Sequence, residues 1–137
     1  MKSLPGTEVE KTSMQKILVV EDDKYLSGAY KVKLLKMGFE VRTAADGEEA
    51  LAVMKEEFAP DLILLDLVMP RKDGFATLEE IKKNDKWKSI PVLIATNLGQ
   101  KEDVERGMKL GAIDYLVKTD TSVDDFVNKV KSILKIS

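Results

Sequence analysis

A chain of 137 residues, 44% of them hydrophobic, carries enough apolar material for one ordinary domain without covalent staples. It has no cysteine, which excludes disulfides, thiolate chemistry and cysteine zinc sites, and no histidine, which removes the usual general base and transition-metal ligand. The 22 Lys+Arg against 24 Asp+Glu leave a net charge of −2, too balanced for the basic field that phosphate-backbone binding needs, so no direct nucleic acid binding is expected.

Residues 1–15 are polar, carry Pro5-Gly6 and show no periodicity, which reads as a flexible leader or expression remnant without the apolar core of a secretory signal. No stretch approaches the ~20 apolar residues of a membrane span, so the expected setting is cytoplasmic, with no membrane partner. From Lys16 onward, short β-rich runs alternate with helical patterns, the signature of repeated βαβ units.

The first predicted strand, 16–20, ends in Glu21-Asp22-Asp23. A helix from Tyr25 to Met37 places Leu26, Ala29, Tyr30, Lys33, Leu34 and Met37 on one stripe, with Gly38 as a left-handed cap, and its lysines Lys24, Lys31, Lys33 and Lys36 read as a solvated face. After a strand at 39–43, a second helix opens at Asp46 with Glu49 completing a capping box. The third strand, 61–65, is a continuous apolar run closed by Asp66, with Met69-Pro70 and Asp73-Gly74 beyond it. Helices from about Gly74 to Lys83 and Lys101 to Leu110 flank a strand at 90–95, and Gly111 ends the second of them. A strand at 113–117 and a helix opened by Ser122 with Asp125 complete five strands alternating with five helices.

That count favours an open, doubly wound α/β sheet, in which ligands bind outside the carboxyl ends of the strands where the strand order reverses. Glu21, Asp22, Asp23, Asp66, Thr96 and Lys118 each close or just follow a predicted strand and so meet at that edge. Like-charged carboxylates within ~4–6 Å push one another towards protonation, and a divalent cation relieves this. With oxygen donors only, Mg²⁺ or Ca²⁺ is the favoured ion. Beside such an ion Asp66 can attack a phosphoryl group in line and form an aspartyl phosphate, with Asp22 and Glu21 as further ligands, Lys118 meeting a phosphoryl oxygen and Thr96 offering a hydroxyl.

Each residue also has a plainer reading. The acidic run can be a helix start favoured by the dipole, Asp66 a turn cap before Pro70, Thr96 a local hydrogen-bonder, Lys118 a solvated strand-end charge and Tyr115 ordinary packing.

Taken jointly, Glu21-Asp22, Asp66, Met69-Pro70, Asp73-Gly74, Thr96, Tyr115 and Lys118 closely resemble the response regulator receiver domain of two-component signalling, over residues 16 to about 135. The resemblance implies a flavodoxin-like five-stranded parallel sheet in the order 2-1-3-4-5, a receiver domain over residues 16–137, and Mg²⁺ held by Glu21, Asp22, Asp66 and the backbone carbonyl of Val68. It implies a sensor histidine kinase or histidine phosphotransfer protein as donor and a downstream protein partner. Asp66 would be the phosphoacceptor, and Thr96 and Tyr115 would switch the surface of the fourth helix, fifth strand and fifth helix. Such a chain is a phosphorylation-dependent regulator with self-phosphorylation and autodephosphorylation chemistry, not a turnover enzyme.

Three positions depart from that pattern: Thr119 stands where proline is common, Asn97 where a small residue is favoured, and Val68 offers no polar group to orient an attacking water. Two other classes fit less well. A haloacid-dehalogenase-type phosphatase expects a second Asp at position 68, and a flavin carrier needs a hydroxyl- and Gly-rich loop where Glu21-Asp22-Asp23 stands.

Overall fold

The structure, a computed structural model, describes residues 15–136, so the expectation of a leader falls almost entirely outside the described residues. Five parallel strands form one sheet: β1 (Lys16–Val20), β2 (Glu40–Ala44), β3 (Leu62–Leu65), β4 (Val92–Thr96) and β5 (Asp114–Val117). Their order is β2-β1-β3-β4-β5, as the resemblance implied. The intervening helices are α1 (Lys24–Lys36), α2 (Gly47–Lys55), α3 (Gly74–Lys83), α4 (Lys101–Lys109) and α5 (Val123–Leu134).

Side chains alternate across the central strands and feed two cores. Leu18, Val20, Ile63, Leu65, Val92 and Ile94 pack against Leu51 and Met54 of α2 and Phe75, Leu78 and Ile81 of α3. Ile17, Val19, Leu62, Leu64, Leu93 and Ala95 pack on the opposite face against Leu34 of α1 and Phe126, Val127 and Val130 of α5. With both faces covered, β1, β3 and β4 read as unbroken apolar runs, which is why they were visible in the sequence.

Local chemistry sets the helix ends. The Asp23, Asp46, Asp73 and Ser122 side chains cap α1, α2, α3 and α5 by accepting amide hydrogen bonds, and Ser122 with Asp125 forms the expected capping box. Glu49 reaches back one residue further than a capping box requires, to the Ala45 amide at 3.1 Å. Gly38, with φ of 95°, ends α1 in paired turns: its N–H donates to the Leu35 carbonyl, and the Phe39 N–H donates to the Leu34 carbonyl.

Two differences from the sequence reading have simple causes. β4 starts at Val92 because Pro91 has no N–H to give the ladder, although the Pro91 carbonyl still accepts the Ile63 amide. The α1 stripe is only partly closed over: Leu26, Tyr30 and Lys33 line a cavity of about 150 Å³ between α1 and α5, and Ala29 is exposed. After β5 the chain forms a short 3₁₀ turn, Lys118–Asp120, and no peptide bond among the described residues is cis, Lys118-Thr119 included.

Candidate functional site

Strand register brings the acidic residues together. Val20 pairs with Leu65 and also with Ala44, so Glu21 and Asp66 each stand one residue beyond the last paired positions of β1 and β3. Their backbones are fixed there: the Glu21 N–H donates to the Ala44 carbonyl at 2.9 Å, and the Asp66 N–H to the Val20 carbonyl at 3.0 Å. This is the point where the strand order reverses, since β1 continues to β2 on one side and lies beside β3 on the other.

Glu21, Asp22 and Asp66 each bring a carboxylate oxygen to within 4.8 Å of the others, with Asp22 exposed and the other two buried. The Lys118 ammonium faces them, 2.5 Å from Glu21 Oε1 and 3.3 Å from Asp66 Oδ2. Burial pushes the Glu21 carboxyl above its ordinary value, and the Asp66 charge adds to this against the opposing pull of Lys118 and the Asp23 amide. Burial alone would depress Lys118, but Glu21 and Asp66 outweigh it and hold the ammonium above its ordinary value.

Three carboxylates against one ammonium leave the cup with uncompensated negative charge. The donors are all hard oxygens at a partly open edge, so the residues present fit a magnesium ion that keeps several waters. Asp23, which the sequence grouped with the acidic pair, serves α1 instead: its Oδ1 accepts the Leu26 N–H at 3.1 Å. The rest of the candidate site surrounds this cup. The Leu67 N–H donates to Asp66 Oδ1 at 2.7 Å, and the Val68 N–H reaches the same oxygen at 3.5 Å. The Val68 side chain itself is exposed.

Thr96 is fully buried as the last residue of β4, in register with Val117 and so one position short of Lys118. Asn97 is exposed beside it. Tyr115 donates its hydroxyl to the Leu98 carbonyl at 2.5 Å, which ties β5 to the loop that begins at Thr96. Burial, with the charges of Asp103 and Asp66 adding, pushes its phenol up to about 12.

Two of the glycines meet neighbours that the sequence does not reveal. A Cβ on Gly74 would lie 2.2 Å from the Asp66 carbonyl oxygen and 2.6 Å from Leu67 Cα, and one on Gly107 would lie 2.7 Å from Ile94 Cδ1 and 3.2 Å from Tyr115 Cδ2. Asp73-Gly74 stands out as a motif, whereas nothing in the sequence around Gly107 points to the ring lying against it.

Fold and site together define an α/β domain with an acidic, lysine-bearing crevice at the carboxyl edge of a parallel sheet. The chain belongs to the response regulator receiver domain family, which it matches over residues 17–131. It is 37% identical over 124 residues to the DNA-binding dual master transcriptional regulator RpaA of a Synechocystis species, covering 89% of this chain and 50% of that protein. It is 40% identical over 124 residues to the transcriptional regulatory protein CpxR of Klebsiella pneumoniae, covering 90% of this chain and 51% of that protein.

Among solved structures, the Vibrio cholerae chemotaxis protein CheY4 superposes with a TM-score of 0.80 at 30% identity, over 88% of this chain and 98% of that one. The BeF3-activated N-terminal receiver domain of Klebsiella pneumoniae RstA gives 0.80 at 29% identity, over 88% and 99%.

The chain thus spans about half the length of the curated relatives it matches. Those relatives correct the expectation that nucleic acid is not a partner, since they are transcriptional regulators and one is named as DNA-binding. The charge balance of a receiver domain carries no information about the half of those proteins that lies outside the match. Among the described residues no helix is long and apolar enough to cross a membrane.

Proposed function

We propose that this chain is the phosphoacceptor switch of a two-component signalling protein, taking a phosphoryl group on Asp66 from the phosphohistidine of a sensor histidine kinase or phosphotransfer protein. Asp66 attacks phosphorus in line, so that an O–P bond forms as the donor's N–P bond breaks. The observation that carries this reading is the meeting of Glu21, Asp22 and Asp66 within 4.8 Å opposite the Lys118 ammonium.

Glu21, Asp22, Asp66 and the Val68 carbonyl would hold Mg²⁺, which when bound supplies positive charge to the transferring group. Lys118 pairs with Glu21 and Asp66 and on transfer would turn to a phosphoryl oxygen. Thr96 donates its hydroxyl to another, and the Leu98 carbonyl moves with the loop and carries its bond to Tyr115 along. The face formed by α4, β5 and α5 then changes for its partner.

By analogy with the transcriptional regulators it resembles, the output in a full-length protein is control of DNA binding, in a cytoplasmic setting. The exposed apolar Val68 gives an attacking water no polar partner, so loss of the phosphoryl group rests on the other residues of the cup. Incubation with acetyl phosphate and Mg²⁺ should add one phosphoryl group to the wild-type chain by intact mass and none to Asp66→Asn. Equal labelling of the variant would place the acceptor elsewhere.

A further inference from the structure

The loop between β3 and α3 contains a strained residue that the phosphoacceptor reading does not use. The Lys72 N–H donates to the Pro70 carbonyl at 2.8 Å and closes a three-residue turn on Arg71, whose φ of 63° lies in the left-handed region. Glycine adopts that conformation freely and arginine does not. The Arg71 side chain ends on Asp46, 25 residues earlier: Nε donates to Oδ2 at 2.7 Å, and Nη2 donates to the same oxygen.

Asp46 is almost fully buried, and its other oxygen accepts the Glu49 N–H at 2.9 Å as the cap of α2. That amide, with help from Arg71, holds the Asp46 carboxyl below its ordinary value and so keeps it charged. The Arg71 side chain is 62% exposed, and a bare ion pair that open to water contributes little, so what the contact supplies is geometry.

The position of this contact gives the geometry its use. Asp46 follows Ala44, whose carbonyl fixes the Glu21 backbone, by two residues. The Gly47 N–H donates to the Lys72 carbonyl at 3.2 Å, so the two loops also meet backbone to backbone. Arg71 therefore ties the segment carrying Val68 to the segment that anchors the acidic pair.

We propose that Asp46 and Arg71 are positioning residues that clamp the Val68 half of the metal cup to the Glu21–Asp22 half. They touch neither ion nor phosphoryl group. This rests on the metal reading given above, and the experiment separates the two.

Arg71→Gly suits the left-handed turn and Asp46→Asn keeps the helix cap, so both variants retain the fold. The full chain is titrated with Mg²⁺ alone by amide NMR, and hydrogen exchange at residues 67–72 is followed without metal. Each single variant should bind Mg²⁺ about tenfold more weakly, the scale expected when a supporting contact of a metal ligand is lost. The double variant should lose no more than either single one, and exchange in the loop should quicken in all three. Arg71→Gly with wild-type affinity and wild-type exchange overturns the clamp. Asp22→Ala, titrated alongside, tests the cup separately: wild-type Mg²⁺ binding that this change leaves intact overturns the metal reading, and the clamp's purpose with it.

Discussion

Position 74 has no room for a side chain, because the groups nearest an added Cβ are the Asp66 carbonyl oxygen and Leu67 Cα, both backbone. Backbone cannot step aside as the end of a flexible side chain can, so Gly74→Ala should cost about 3 kcal/mol, at the upper end of overpacking. Gly28 in α1 is the opposite case, with nothing within 4 Å of its Cβ position, and Gly28→Ala should stabilise by roughly 0.5–1 kcal/mol. Denaturant unfolding followed by the single tryptophan, Trp87, checks both. A tolerated Gly74→Ala would mean that α3 approaches the end of β3 less closely than these distances require.

Tyr115 allows a pH test at the same scale. Its phenol is pushed up to about 12 when folded, above the ordinary value of 10.0, so the neutral form is the one folding favours. Its contribution is therefore fully present below the unfolded value and lost as pH rises through the folded one. Tyr115→Phe should cost about 1 kcal/mol through the lost bond to the Leu98 carbonyl, a cost that stays constant through neutral pH. An ultraviolet titration should lose its last phenolate step in this variant. If that step persists, the raised phenol belongs to another tyrosine.

At the scale of elements, the sequence revealed most where one physical signal dominated. Ile17–Val20 and Leu62–Leu65 announce buried parallel strands by unbroken apolar runs, and Asp46 and Ser122 stand where caps are needed, whereas the caps at Asp23 and Asp73 emerge only in the structure. Glu21, Asp22, Asp23, Asp66, Thr96 and Lys118 fall at one edge in the sequence because each closes or follows a predicted strand, and the fold then decides which of them touch, turning Asp23 aside as a helix cap. The sequence could not show that Lys118 rests between Glu21 and Asp66, since that depends on rotamers and burial. Nor could it show Arg71 reaching Asp46, because a contact between two loops 25 residues apart leaves no periodic trace. The Tyr115 ring against Gly107 was hidden for a similar reason: a glycine inside a helix reads only as a weak helix former until its neighbour is known.

For the whole molecule, gathering three carboxylates at one edge costs stability that a bound ion would offset. Glu21 titrates above its ordinary value, so the stability linked to its protonated form is present at low pH and lost as pH rises through that raised value. On the proposed metal reading, Mg²⁺ at the ionised cup should raise the melting temperature by several degrees at neutral pH, since a ligand at a hundred times its Kd adds about 2.7 kcal/mol. The gain should shrink on acidification as protons compete for Glu21. A melting temperature indifferent to Mg²⁺ at neutral pH would contradict this coupling.

The chain belongs to the receiver domain family and matches about half of each transcriptional regulator, whose remaining half lies outside the match. The central claim is that a phosphoryl group on Asp66 is read through Thr96 and the Leu98–Tyr115 bond. Beryllium trifluoride with Mg²⁺ mimics that group, and amide NMR of the wild-type chain tests the claim directly. The account predicts large shifts at Asp66, Thr96, Leu98 and Tyr115 that vanish in Asp66→Asn. A spectrum unchanged at saturating reagent, or shifts that survive in the variant, would contradict it.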